Sequence, residues 1–141
     1  MKILAIIQAR CNSSRFPNKI MKKFGKSESI IFQYKRIKKS KKISKIIVAT
    51  SNNNKDDKLV KLLKKNKIDY FRGSEKNVLS RFYECAKKEK PDAVVRFTAD
   101  CPLIDYKIID RVIELFKSKK TINFSLKYSQ NDSYTLFIIN N

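Results

Sequence analysis

Three short runs of apolar, largely β-branched residues set the frame for this chain. Ile3 to Ile7 (ILAII), Lys45 to Thr50 (KIIVAT) and Ala93 to Thr98 (AVVRFT) are widely spaced, with helix-like stretches between them. Runs that stay apolar at nearly every position predict strands buried on both faces, as in parallel sheets. The stretches between follow the other period. Ile30 to Lys39, Asp56 to Asn66 and Val78 to Lys88 read as amphipathic helices. In the second, Leu59, Leu62 and Leu63 share one face and the Lys residues take the other. Asp105 to Lys119 predicts a further helix striped by Ile108, Ile109, Val112, Ile113 and Phe116. The segment Ile68-Asp69-Tyr70-Phe71 adds a short edge strand. Strands alternating with helices argue for a three-layer α/β/α fold around a mostly parallel sheet.

At 141 residues the chain has the length of a single domain with one hydrophobic core. Residues 122–141 stand apart as a divergent tail. Two strand-like pieces, INFSL and YTLFII, flank a polar Ser129-Gln130-Asn131-Asp132-Ser133. They read as a β-hairpin, or as an edge strand followed by a piece without its partner.

The net charge of +20 raises the question of nucleic acid. Lys makes up 26 of the 33 basic residues and Arg only seven, although Arg is the better bidentate phosphate ligand. Lys is spread over nearly every helix, and most aromatics fall at core-like spacings. That distribution weighs against a nucleic-acid partner, which calls for a basic face with interleaved exposed aromatics. The chain contains no His, which excludes His-based triads, His general bases and His metal ligands. Cys11, Cys85 and Cys101 are odd in number and widely separated, so neither a zinc cluster nor a disulfide framework is expected. Gln8 and Arg10 cut the apolar start short of a signal peptide. No run approaches the roughly 18 apolar residues of a membrane span. A cytoplasmic protein with no membrane partner is the expectation.

In open α/β sheets, ligands bind beyond the carboxyl ends of the strands, so the loops there carry the chemistry. The first runs Gln8-Ala9-Arg10-Cys11-Asn12-Ser13-Ser14-Arg15-Phe16-Pro17-Asn18-Lys19. Three cations and two hydroxyls on one excursion can hold a triphosphate, aided by backbone N–H groups. Without Gly the loop is neither a Walker loop nor a dinucleotide fingerprint. Taken alone, it also reads as an ordinary surface loop of a basic protein. The second loop, Thr98-Ala99-Asp100-Cys101-Pro102-Leu103-Ile104-Asp105, places a carboxylate at a strand end, where a Mg²⁺ ligand belongs. Asp100 also reads as a turn residue, and Asp105 as a helix N-cap. In the third, Phe71-Arg72-Gly73-Ser74-Glu75-Lys76-Asn77-Val78-Leu79, Gly73 is one of only two glycines and marks a turn. Ser74 and Asn77 read as capping residues.

Taken in order, IIQARCNSSRFPNKIMKKFGKSESI, KIIVATSNNNKDD, FRGSEKNVLSRFYECAKK and VVRFTADCPLID resemble the spore coat polysaccharide biosynthesis protein F family. That family lies within the wider acylneuraminate and 3-deoxy-manno-octulosonate cytidylyltransferases. The resemblance spans residues 1–118 and implies a Rossmann-like nucleotidyltransferase (glycosyltransferase A-like) sheet. It implies that Arg10, Arg15 and Lys19 grip the triphosphate of CTP, with Ala9, Ser13 and Ser14 beside them. It implies that Asp100 supports Mg²⁺, and that Arg72 and Gly73 border the base and ribose. The implied reaction is attack of a sugar or sugar-acid oxygen on the α-phosphorus of CTP, releasing pyrophosphate. Such chemistry needs positioning and charge neutralisation more than a dedicated base, so the absence of His is no obstacle.

Two departures stand out: Cys11 sits where the family has Met, and Asn77 where it has Asp. The family's chains also run past this length. Their later part supplies another metal carboxylate, much of the sugar pocket and the homodimer contact. A truncated cytidylyltransferase-like chain is therefore expected. A non-catalytic nucleotide-binding remnant is the alternative, and a basic nucleic-acid-binding module ranks behind both.

Overall fold

A computed structural model of the chain describes residues 1–12, 16–119, 123–127 and 135–140. The three apolar runs form the heart of one six-stranded sheet. Strands β1 (Ile3–Gln8), β4 (Lys45–Ser51) and β6 (Ala93–Thr98) lie in parallel, with β1 in the middle. Every side chain of β1 from Ile3 to Ile7 is fully buried, which explains its unbroken apolar run. Burying each of its larger aliphatic side chains contributes on the order of 1.5–3 kcal/mol.

The two faces of the sheet are covered by different helices. Ile3, Ala5 and Ile7 pack with Val48, Val95 and Phe97 against α1 (Ser29–Ile37), α2 (Asp57–Lys65) and α4 (Tyr106–Lys119). Ile109, Val112, Ile113 and Phe116 form the buried stripe of α4, while Ile108 stays exposed. On the opposite face Leu4, Ile6, Ile47 and Ala49 meet α3 (Val78–Glu89) through Cys85, Phe82 and Ala86. The result is the expected three-layer α/β/α arrangement.

Two sequence expectations shift in detail, and one element is new. The strand expected over 68–71 is β5 (Tyr70–Gly73), pairing in parallel with β4 at the sheet edge. Lys67 turns left-handed after α2 (φ 54°), and Ile68 is spent anchoring that turn, its N–H donating to Leu63 O at 3.0 Å. The helix expected from Asp56 begins one residue later, after a 3-10 turn over Asn54–Asp56. A small hairpin of β2 (Lys23–Phe24) and β3 (Ser27–Glu28), absent from the sequence reading, turns through Gly25 at φ 67°. In the tail, β7 (Asn123–Lys127) and β8 (Thr135–Asn140) pair as an antiparallel hairpin. β8 adds antiparallel to β6, giving the order β5-β4-β1-β6-β8-β7.

Candidate nucleotide site

The parallel strands deliver their carboxyl ends to one edge, where the polar groups collect. β1 and β6 are neighbours with Gln8 opposite Thr98, so the loops that leave them start side by side. Ala9 is buried, and its N–H extends the ladder to Ala49 O at 3.1 Å. Ala99 does the same to Gln8 O at 3.1 Å. Arg10 follows Ala9 with its side chain exposed. Beyond Cys11 the loop returns at Asn18, whose N–H donates to Cys11 O at 3.0 Å. Asn18 closes it from a left-handed backbone (φ 58°), which Asn tolerates well. Ser13, Ser14 and Arg15 lie outside the described residues.

Lys19 begins a 3-10 turn on the returning limb and reaches across to the end of β6. Its Nζ stands 3.5 Å from Asp100 Oδ2. These two residues, 81 positions apart in sequence, are the pair that the structure brings together from the expected site. Burial raises the Asp100 pKa, but the Thr98 hydroxyl and the Lys19 ammonium outweigh it and hold the carboxyl below its ordinary value. Asp100 is therefore ionised at neutral pH and, with 39% of its side chain exposed, open to a ligand. Among the described residues no cluster of three or more His, Cys, Asp or Glu forms a self-sufficient metal site. A single carboxylate completed by substrate phosphates suits Mg²⁺, which binds by that combination.

The loops themselves are held from below. Asp56, read from sequence as the start of a helix, turns inward and is 1% exposed. Cys11 N–H donates to its Oδ1 at 2.7 Å, and Ser51 N–H to its Oδ2 at 3.2 Å. The Ser51 hydroxyl donates to the same oxygen. Burial favours the neutral acid, yet the bonds from Cys11 and Ser51 prevail and depress the pKa. One buried carboxylate thus ties the loop after β1 to the loop after β4. On the other side, Gln33 of α1 donates to Thr98 O at 2.8 Å and Arg36 to Ile104 O at 2.7 Å, bracing the Asp100 loop.

Arg72 and Gly73, expected beside the base and ribose, have structural work of their own. Arg72 donates to Ser51 O at 3.0 Å and Asn53 O at 2.9 Å, and pairs with Asp57 at 2.7 Å. Its guanidinium clamps β5 to the loop after β4. At Gly73 an added Cβ would lie 2.9 Å from both Arg81 Cγ and Phe71 Cε1, so glycine is needed for a close approach. Ser74 and Asn77 do cap: Asn77 Oδ1 accepts from Ser80 N–H at 2.8 Å, and Ser74 Oγ from Asn77 N–H at 3.0 Å. Asp105 likewise accepts from Lys107 N–H at 2.8 Å. Asn77 shows that an amide fills the capping role as well as a carboxylate.

The three cysteines are buried. Burial above all pushes Cys11 up to about 11, with help from the Asp56 charge, and Cys101 to about 11. Cys85 rises to about 12. All three are thiols at neutral pH, the form in which cysteine is a poor nucleophile.

A strand-end carboxylate paired with a basic loop, over a parallel sheet, fits a nucleotide-handling edge, and sequence comparison gives the family. A model of the family described as "Cytidylyltransferase" matches residues 4–136. The chain belongs to the cytidylyltransferase family. It is 34% identical over 116 residues to the spore coat polysaccharide biosynthesis protein SpsF of Bacillus subtilis, matching 79% of this chain and 48% of that protein. It is 34% identical over 133 residues to a 3-deoxy-manno-octulosonate cytidylyltransferase of Fusobacterium nucleatum, matching 89% of this chain and 50% of that one. A solved cytidylyltransferase from Leptospira borgpetersenii superposes with a TM-score of 0.88 at 35% identity. It covers 99% of this chain and 60% of the other. The fold is thus the Rossmann-like nucleotidyltransferase sheet that the resemblance implied. The chain spans about half the length of the curated relatives it matches. No helix among the described residues is long and apolar enough to cross a membrane.

Proposed function

We propose that this chain binds CTP at the carboxyl edge of β1 and β6 and serves the transfer of CMP to a sugar or sugar acid for surface polysaccharide synthesis. The observation that carries the proposal is the Lys19–Asp100 pair, which joins a cationic loop to an ionised carboxylate across adjacent parallel strands. Arg10, Arg15 and Lys19 supply positive charge for the triphosphate, with the hydroxyls of Ser13 and Ser14 beside them. Asp100 would hold Mg²⁺, which supplies charge neutralisation on the phosphates. Lys19 would exchange its contact with Asp100 for a phosphate oxygen, freeing the carboxylate for the metal. The acceptor's oxygen attacks the α-phosphorus and pyrophosphate leaves, a displacement that rests on positioning and charge. The sugar or sugar-acid acceptor is inferred from what the relatives' names describe.

Calorimetric titration of the chain with CTP, with and without Mg²⁺, tests this reading. We expect Mg²⁺-dependent binding that Arg15→Ala and Lys19→Ala each weaken by about tenfold or more, the loss of a charge-assisted hydrogen bond. A folded chain that fails to take up CTP at millimolar concentration refutes it.

A further inference from the structure

Arg81 is 1% exposed and among the largest fully buried side chains of the molecule. It rises from α3, lays its stem over Gly73 where a Cβ would otherwise sit, and donates through Nη1 to Ser74 O at 2.8 Å. Its remaining nitrogens, Nε and Nη2, are buried and have no hydrogen-bond partner among the described residues. A purely structural guanidinium is normally fully bonded, because an orphaned buried donor costs stability.

The surroundings sharpen the question. Arg10 and Arg96 bring like charge to bear on Arg81, against Asp56 and Glu75 of opposite sign. Those acids are already engaged. Asp56 is held by Cys11 and Ser51, and Glu75 accepts from Asn53 at 2.7 Å. Burial first, and then repulsion from Arg10, disfavour the charged form of Arg81, although a guanidinium keeps its proton. Asp56 and Glu75 are thus spent on other donors, and the Arg81 guanidinium keeps a two-donor edge with no partner among the described residues. A neutral acceptor could satisfy the donors but not the charge. An anion with two adjacent oxygens satisfies both.

We propose that Arg81 is a phosphate-binding residue of the nucleotide site, its Nε–Nη2 edge donating to two oxygens of the CTP triphosphate. The inference rests on the CTP reading above and adds a residue that the β1 loop does not contain. Because those nitrogens expose no surface in the ligand-free chain, the oxygens reach them only as neighbouring side chains turn aside. The ligand-free chain therefore bears the cost of an unpaired buried cation, and the triphosphate relieves it.

The test compares wild type, Arg81→Met and Arg81→Lys in calorimetric titrations with Mg²⁺-CTP and with inorganic tripolyphosphate. Thermal unfolding of each ligand-free protein runs in parallel. We expect Arg81→Met to weaken both ligands by about 10- to 100-fold, as for charge-assisted hydrogen bonds. Its ligand-free unfolding midpoint should equal or exceed that of wild type. Arg81→Lys, which keeps the charge but not the fork, should fall between the two. Loss of CTP affinity with tripolyphosphate binding intact means that Arg81 reads the nucleoside, and overturns the assignment. A lowered ligand-free midpoint with unchanged affinities marks a structural strut and overturns it too. Wild-type protein that binds neither ligand removes the CTP reading itself, a result distinguishable from any change confined to the variants.

Discussion

Replacing Asp56 with Asn removes one charge at the point where two loops are tied together. The carboxylate accepts two backbone N–H groups and one hydroxyl, all in a position 1% exposed. The amide retains one oxygen, which can stay with Cys11 N–H, while its NH₂ faces Ser51. The Ser51 hydroxyl can rotate and accept from that NH₂, but Ser51 N–H is left against another donor. Hydrogen bonds to a charge contribute about 1.5–3 kcal/mol each, and an orphaned buried donor costs about 1–3 kcal/mol. Allowing for the recovered hydroxyl, the loss is about 2–4 kcal/mol, a large share of the roughly 5–15 kcal/mol by which domains are stable. For a chain of this length that corresponds to a fall of roughly 7–14 °C in unfolding midpoint. Urea unfolding should show the same loss in midpoint with an unchanged slope. Acid provides an internal control. The folded-state pKa of Asp56 is depressed, so its contribution is complete above the ordinary carboxylate value of about 4 and disappears as pH falls below that and through the folded value. The gap between wild type and Asp56→Asn should therefore close on acidification. A midpoint within about 1 °C of wild type, or a gap that stays constant below pH 4, would refute the reasoning.

Two further outcomes follow from the same edge. Gly73→Ala puts a Cβ within 2.9 Å of the Arg81 stem and the Phe71 ring. It should cost about 1–3 kcal/mol in thermal unfolding, as for other overpacked sites, and should weaken CTP binding by displacing Arg81. Arg72→Ala removes two hydrogen bonds to main-chain carbonyls and a part-exposed ion pair with Asp57. A loss of about 1–2 kcal/mol in urea unfolding is expected, with CTP affinity changed less than by Lys19→Ala.

The sheet was legible because its signal is local. The unbroken apolar run ILAII has one comfortable home, between two layers of helices, and is found there, while AVVRFT beside it buries Ala93, Val95 and Phe97 and leaves Val94, Arg96 and Thr98 half-buried. The caps at Asn77 and Asp105 were legible for the same reason, since each bonds within three residues of itself. Lys19 and Asp100 could be named from their strand-end positions, but only the adjacency of β1 and β6 puts them 3.5 Å apart. The helix start at Asp56 was legible to within one residue, but the inward role of its carboxylate was not. Its inward turn depends on Cys11, 45 positions away. Arg81 was hidden likewise, a cation on a helix rich in Lys and Glu. Gly73 was read as a turn; it instead ends β5, and its missing Cβ makes room for the Arg81 stem.

The braces at this edge share a trait: each holds main chain, even where, as with Asp56 on the Ser51 hydroxyl and Arg72 on Asp57, it holds a side chain as well. Asp56 grips the amide of Cys11, Gln33 the carbonyl of Thr98, and Arg36 that of Ile104. Arg72 takes the carbonyls of Ser51 and Asn53, and Arg81 that of Ser74. Every residue type offers the same backbone atoms, proline's missing N–H aside. Side chains on the loops can therefore change identity while the loops keep their places. A scaffold fastened in this way separates where a loop runs from what it displays. Side chains at the rim can then change without first needing repair beneath it.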